Sequence, residues 1–484
     1  MQPTVYDSAW VARLSHEDGT AAYPHLLPWL LAQQHDDGSW GGQLPYLHDR
    51  FLSTLTVLLL LAHPSQRFNY WIPIRAGETY LREHVTELDQ DLERTAGFEL
   101  ILPSLLVEAR QVGLALPYRT LSRFEAERAA KLKFLPSQGL FTEQTSALFS
   151  LEAFAGVMGI GATAALLLEN GSMSCSPAAT AFLLNAVPQW RSRHPKSVAY
   201  LEALMATHSG LLPHFAPYDL FHRGWVLSYL YYAGLLERYP ALVEPLHQHL
   251  REHWRATGMG FSSVPGALPD ADDTAMALLA LYRAGDKVEG SNLLVYERAE
   301  FFASFPHESH ASTSTNLHVL EAIDALPLAD QTRVREKIVR FLLQTRREGT
   351  FWSDKWHASI YYPTSHALIV LPPYAPTELD STLQWLLAQQ RPNGGWGQYG
   401  ATVEETALVL LALLYYHRHH CSDPQLFPTA VLHRGARYLH THEPHGPYPE
   451  LWIAKVLYAP LPVIQSLILA AVALYEEMFG MSHL

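Results

Sequence analysis

Cysteine is almost missing from this chain, with only Cys175 and Cys421 in 484 residues. Two thiols so far apart exclude a disulfide framework and a thiolate metal site, and they lead us to expect a reducing, cytoplasmic setting. Basic residues are also scarce: 34 Lys and Arg face 47 Asp and Glu, for a formal net charge of -13. Nucleic acids are held mainly by Lys and Arg neutralising phosphates, so no nucleic-acid partner is expected, and an anionic ligand would need a local basic pocket. Long hydrophobic runs are absent as well. Residues 55–62 and 463–474, the most apolar stretches, fall short of the roughly 20 residues a membrane-spanning helix requires, and Gln465 and Ser466 interrupt the second. Both read as buried helices, so no transmembrane segment is expected. Residues 1–10 hold no apolar core behind a basic start, so no export signal is expected either.

What is present is a chain that is 48% hydrophobic and long enough for two or more domains. Strand patterns are rare. Residues 51–62, 98–112, 274–282, 317–323 and 463–474 are Leu- and Ala-rich runs with helical periodicity, and the 32 prolines and 28 glycines fall mostly between such runs. The expectation is an all-α fold of many helices joined by short turns.

Two segments repeat each other: Trp29-Leu30-Leu31-Ala32-Gln33-Gln34 followed by Gly38-Ser39-Trp40-Gly41, and Trp385-Leu386-Leu387-Ala388-Gln389-Gln390 followed by Gly394-Gly395-Trp396-Gly397. In each, a helix ends in Gln, a glycine turn reverses the chain and a tryptophan returns to cover it, so the motif braces helices and does no chemistry. A weaker relative, residues 344–352, is out of spacing by one residue. One copy near each end of the chain points to two related helical barrels.

Asp270-Ala271-Asp272-Asp273-Thr274 sets three carboxylates at the mouth of the apolar run 275–281. Each negative charge raises the pKa of its neighbours, so carboxylates this crowded cannot all ionise and at least one is expected to keep a proton at neutral pH. A kept proton is a usable acid. Taken alone, the same residues also read as an acidic helix cap.

Together, the Gln-x-x-x-Gly-x-Trp repeats and the Asp-x-Asp-Asp-Thr motif resemble those of the class II diterpene cyclases, which start their reaction by protonation. Tyr6-Asp7-Ser8-Ala9-Trp10, Asp49-Arg50-Phe51-Leu52-Ser53-Thr54-Leu55, Gly97-Phe98-Glu99-Leu100, Pro103-Ser104-Leu105-Leu106, Ser150-Leu151-Glu152, Ser176-Pro177-Ala178-Ala179-Thr180-Ala181 and Asp354-Lys355-Trp356-His357 with Tyr361-Tyr362 extend the likeness over nearly the whole chain. Ser314-Thr315-Asn316-Leu317-His318-Val319-Leu320 and the ending Leu451-Trp452-Ile453-Ala454-Lys455 are similar to patterns of bacterial halimadienyl and kolavenyl diphosphate synthases. The resemblance implies two α/α-barrel domains with the active site between them: a β domain of residues 1–20 and 216–484 carrying the acid motif, and an inserted γ domain of residues 21–215.

It also implies roles for individual residues. Asp272 is the expected general acid, tuned by Asp270 and Asp273, with His318 at the position whose Asn or His side chain bonds the catalytic carboxyl. Glu87, Asp89 and Asp91 stand where plant relatives carry an acidic motif linked to Mg²⁺ and the substrate diphosphate, although Leu88 replaces one acidic position. Lys131 matches a position near the diphosphate. Phe149 and His214 align with a plant His-Asn pair that deprotonates the final cation, and Trp225, Trp356 and Tyr361 are expected in the cavity wall. The adjacent histidines of His417-Arg418-His419-His420-Cys421 would strain a tetrahedral zinc site and read as a surface loop.

The implied reaction is cyclisation of geranylgeranyl diphosphate, with Mg²⁺ as cofactor. No Asp-Asp-x-x-Asp motif of the ionising terpene synthases is found, so the diphosphate is expected to survive into the product, for a downstream diterpene synthase or phosphatase to remove. An aromatic ring at position 149 can stabilise a cation but cannot take its proton. That favours a rearranged skeleton, kolavenyl diphosphate first; halimadienyl and copalyl diphosphate are the alternatives, the last if His214 is a repositioned base. A squalene-type triterpene cyclase and a non-catalytic helical lipid-binding scaffold remain as further readings.

Overall fold

The computed structural model describes residues 1–64, 66–134, 142–156, 160–306, 308, 310–421, 427–442 and 446–480. Among them the regular elements are helices apart from one two-stranded hairpin, Trp452–Ile453 with Leu457–Tyr458. It divides into two compact units, the first formed by Met1–Pro217, Val264–Leu268 and Trp452–Tyr458, the second by Tyr218–Ser263, Pro269–Leu451 and Ala459–Leu484.

The first unit closes as a ring. Helix Val5–Ala12 packs on Leu47–Leu61, which packs on Phe98–Gln111, then on the 3₁₀ turns Ser146–Phe154, then on Pro177–Asn185, which returns to Val5–Ala12. Every residue of Leu47–Leu61 is buried, because ring neighbours and outer helices cover all its faces. The sequence expectation placed residues 1–20 with the other domain. Here Tyr6, Ala9, Trp10 and Val11 lie in the core of the first unit, since Val5–Ala12 is the segment that closes this ring. The Trp452–Tyr458 hairpin joins the same unit through Leu457 N–H to Asp49 Oδ1 at 3.2 Å and Ala96 N–H to Ala454 O at 2.7 Å.

The second unit is also a closed ring, running through Asp219–Tyr232, Ala271–Arg283, Thr313–Ala325, Tyr361–Val370, Val403–His419 and Leu461–Phe479, which packs back on Asp219–Tyr232. Pro240–His253, Gln331–Thr345, Asp380–Ala388 and Thr429–Thr441 pack outside it. Leu461–Phe479 is long and apolar enough to cross a membrane by length and composition, but its buried positions pack against its two ring neighbours.

The tryptophan clamps hold each ring to its outer helices. Trp40 Nε1 donates to Leu30 O at 2.7 Å, Trp396 Nε1 to Leu386 O at 2.8 Å, and Trp352 Nε1 to Leu342 O at 2.6 Å, always to the carbonyl 10 residues back. Their backbone N–H groups meet Thr54, Thr406 and Thr364 hydroxyls at 2.8, 3.0 and 3.0 Å. The weaker third copy therefore builds the same clamp. Gly38 and Gly394 are left-handed, at φ 88° and 90°, and a Cβ on either would sit 2.6 Å from a carbonyl oxygen of the adjacent helix.

Candidate active site

Asp270 begins the helix Ala271–Arg283: its backbone is extended and its Oδ1 accepts the Asp273 N–H at 2.8 Å, the bond expected of an aspartate cap. The cap meaning of the motif is thus real, and it coexists with a second one. The first turn fixes Asp272 and Asp273 at the positive end of the helix macrodipole, where an anion is favoured. Thr274 locks this end by donating to Met259 O at 3.0 Å and accepting the Met259 N–H at 2.9 Å.

Burial pushes the Asp270 carboxyl up to about 7, opposed by bonds from Asp273 and assisted by the charge of Asp272. Burial, then the charge and hydrogen bond of Asp270, drives Asp273 well above the ordinary carboxylate range. Both shifts are upward, so the coupled pair holds a proton between them, which lowers the negative charge around Asp272.

Asp272 is the carboxyl of the three that leaves the motif. Its side chain keeps 14% exposure, and its Oδ1 meets His318 Nδ1 at 2.5 Å. His318 lies on the next ring helix, Thr313–Ala325, whose start is heavily braced. Ser312 caps it by accepting the Thr315 N–H at 3.0 Å, and Asp354 accepts from Ser312 Oγ, Ser314 N and Ser314 Oγ at 2.8, 3.0 and 2.8 Å. Asn316 bonds both the N–H and the carbonyl of Phe302. The Ser-Thr-Asn-Leu-His pattern and the Asp-Lys-Trp-His motif are thus one framework that sets the rotation of the His318 helix.

Aromatic rings enclose the pair. Trp225 meets His318 edge-on at 5.4 Å between centroids and donates its Nε1–H to Tyr362 Oη at 2.9 Å. Trp225, expected in the cavity wall, lies beside His318. Tyr361 instead stacks on Trp385 at 5.7 Å, and the adjacent Tyr362 reaches the acid site, one residue along a helix being about 100° of rotation. Trp356 is half-buried, its Nε1 donating to Ser304 Oγ at 3.1 Å and Lys355 Nζ 4.7 Å above its ring. Sequence reasoning also missed His366, which lies 4.7 Å from His318 between ring centroids. The signal was available: Tyr362 and His366 are spaced i, i+4 on one helix, so they share a face.

In the first unit, His214 is fully buried and both its nitrogens are engaged. Nδ1 lies 2.6 Å from Asp7 Oδ2, and Nε2 accepts the Lys455 N–H at 3.2 Å, which fixes the neutral ring with its proton on Nδ1. Neither nitrogen is open to receive a proton, so the ring does not fit the role of a repositioned base. Phe149 meets His214 and Phe215 edge-on, and Lys455 Nζ sits 4.7 Å over its ring while bonding Phe149 O, Glu152 Oε1 and Ser176 Oγ at 2.8, 2.7 and 2.8 Å.

The expected Mg²⁺ ligands are not gathered. Asp91 is taken by His48, with Oδ2 2.8 Å from Nδ1 and 2.9 Å from the backbone N–H; Asp89 is exposed and pairs with Arg123 at 2.7 Å; Glu87 precedes the turn that separates them. A hard cation needs oxygens converging on one point. These three carboxylates turn to different partners instead. Among the described residues, His249, Glu252 and His253 form the group whose ligand atoms lie within 4.8 Å of one another. Lys131 is 58% exposed and pairs with Glu99.

No family model matches the chain. It is 33% identical to a type B diterpene cyclase of Mycobacterium tuberculosis, over 98% of this chain and 96% of that protein. It is 30% identical to a copalyl diphosphate synthase of Streptomyces cyslabdanicus, over 98% of this chain and 92% of that one. The solved ent-copalyl diphosphate synthase of Streptomyces platensis superposes with a TM-score of 0.77 at 29% identity, covering 98% of this chain and 95% of that one.

Proposed function

The chain belongs to the class II diterpene cyclases, and from that membership we propose that it converts geranylgeranyl diphosphate to a bicyclic diterpenyl diphosphate, with Asp272 as the acid. The observation that carries the assignment is the 2.5 Å contact of Asp272 Oδ1 with His318 Nδ1, at a helix N-terminus, inside a ring of helices. An alkene is a very weak base, so its protonation needs a strong acid, little competing water and stabilisation of the anion left behind. With Oδ1 held by His318, the transferable proton sits on Oδ2. Asp272 ionises as it gives up that proton, and the His318 N–H bond and the helix dipole both strengthen at that moment; interactions that grow toward the transition state raise the rate. The proton held between Asp270 and Asp273 spares Asp272 a second neighbouring charge. Trp225 packs edge-on against His318 and is tied to Tyr362, so aromatic rings stand beside the acid.

The product proposed first is kolavenyl diphosphate. His214 offers no open nitrogen for direct deprotonation, and Phe149 has no basic atom, which supports hydride and methyl shifts before the proton is lost. Mg²⁺ is proposed as a companion of the substrate diphosphate, not as an ion held by Glu87, Asp89 and Asp91. Incubation with geranylgeranyl diphosphate, dephosphorylation and identification of the alcohol by mass spectrometry and NMR tests the reading. A bicyclic product that vanishes in Asp272→Asn is expected; product formation by that variant at the parent rate removes Asp272 as the acid. A copalyl alcohol would overturn the kolavenyl assignment and leave the cyclase.

A further inference from the structure

An acid spent in every turnover must regain a proton, and an apolar site that excludes competing water also blocks its direct return. Asp272 has His318 as its hydrogen-bond partner, so the return path begins at that ring. His318 meets a second imidazole, His366, edge-on at 4.7 Å between centroids and 75° between planes, so the two rings are in contact. His366 Nε2 is buried with no hydrogen-bond partner, and it points toward Glu321 Oε2 at 3.8 Å. Glu321 keeps 16% side-chain exposure, twice the 8% of His366, so the line has a partly exposed end. Its carboxylate also accepts from Arg283 and from Tyr232 Oη, the latter at 2.7 Å. His318 and Glu321 are spaced i, i+3 on one helix, and His366 faces both from the next helix of the ring.

We propose that Glu321, His366 and His318 form the route by which Asp272 is reprotonated after each cyclisation. The proposal rests on the reading of Asp272 as the acid. A proton entering from solvent at Glu321 passes to His366 and on to His318 Nε2. The imidazolium so formed gives its Nδ1 proton to the Asp272 carboxylate, and reorientation of the carboxyl and the ring resets the chain. One proton enters for each proton delivered to substrate. The charged and titratable groups facing His366 are His318, Glu321, Arg283 and Tyr232. Burial first, then the charge of Arg283 and any charge on His318, keeps His366 well below the ordinary imidazole range, so a proton passing through it is released readily. A structural histidine would be expected to use its buried nitrogen; this one leaves it open.

A relay is needed between turnovers, not during the first. His366→Ala is therefore compared with the parent in single turnover, with enzyme in excess over geranylgeranyl diphosphate, and in steady state. The first turnover is expected to stay within about threefold of the parent while the steady-state rate falls by roughly 100-fold, the scale of one proton-transfer catalyst. Added imidazole is expected to restore the steady state by filling the space left by the ring. Parallel loss in both regimes, no loss in either, or no rescue would overturn the relay. If His366→Ala fails to fold, Glu321→Gln with the same two measurements decides, an unchanged steady state overturning the route. A parent that makes no product from this substrate removes the cyclase reading, whereas a parent that turns over and a variant that matches it remove the relay alone.

Discussion

Replacing His318 by alanine isolates the contribution of one hydrogen bond to protonation. On the proposed mechanism the ring bonds a carboxylic acid before the reaction; once Asp272 has given up its proton, the same N–H bonds a carboxylate. Neutral bonds contribute about 0.5–1.5 kcal/mol and bonds to charged groups about 1.5–3 kcal/mol, so the bond gains about 1–2 kcal/mol on the way to the ionised state. At about 1.4 kcal/mol per tenfold in rate, His318→Ala should lower kcat by roughly 5–30-fold. KM should change little, because the bond is worth most after the proton has moved. His318→Asn keeps an N–H donor and should recover part of the loss. The assay is initial-rate product formation by mass spectrometry after dephosphorylation, on protein whose fold is verified by circular dichroism. A folded His318→Ala enzyme with kcat within twofold of the parent would refute the account.

The remaining predictions concern other parts of the chain. Asp270 titrates near 7, and above that pH its charge weakens the adjacent acid, so kcat should decline on the alkaline side. Asp270→Asn, which keeps a capping oxygen, should flatten that decline; a pH–rate profile measures it. Because the folded-state pKa of Asp270 is raised above the unfolded value of about 3.9, its effect on stability also has a sign: folding is favoured most below that value and loses ground as pH climbs toward 7. Chemical denaturation across that range checks the direction. His214→Ala removes one hydrogen bond to buried Asp7, which keeps those from Thr4 and Ala178, and should cost about 1.5–3 kcal/mol of stability without changing the product; a switched product with unchanged stability would restore His214 as the base. Trp396→Ala removes a fully buried clamp and should cost about 3–5 kcal/mol in denaturant melts, again with the same product. Lys131→Ala should raise KM for geranylgeranyl diphosphate with little change in kcat, and an unchanged KM would remove Lys131 from diphosphate binding.

The acid motif was legible because its chemistry is local: three carboxylates within four residues repel one another in any helical setting, and a cap aspartate announces where the helix begins. His318 was found through resemblance alone, since a histidine on an apolar helix face carries no sign of what it touches. The metal expectation rested on sequence proximity, which does not fix geometry. Glu87, Asp89 and Asp91 are near in sequence, but a turn points them to different partners: His48 takes Asp91 and Arg123 takes Asp89. His214 is a similar case, because the hairpin residue that uses up its Nε2 is Lys455, 241 positions away. Tyr361 and Tyr362 could not be told apart without the rotation of their helix.

By itself, the sequence determined that the protein is helical, braced by tryptophan clamps, and armed with a crowded acid. These follow from periodicity and from interactions within a few residues, which hold wherever the segment lies. Only the tertiary structure decided that Asp272 faces His318, that His366 and Glu321 continue that line outward, that Val5–Ala12 closes the first ring, and that His214 has no nitrogen to spare. Each of those depends on which residues from distant segments share one volume. A hydrogen-bonding group is free or committed only in relation to such neighbours, and helix packing sets them.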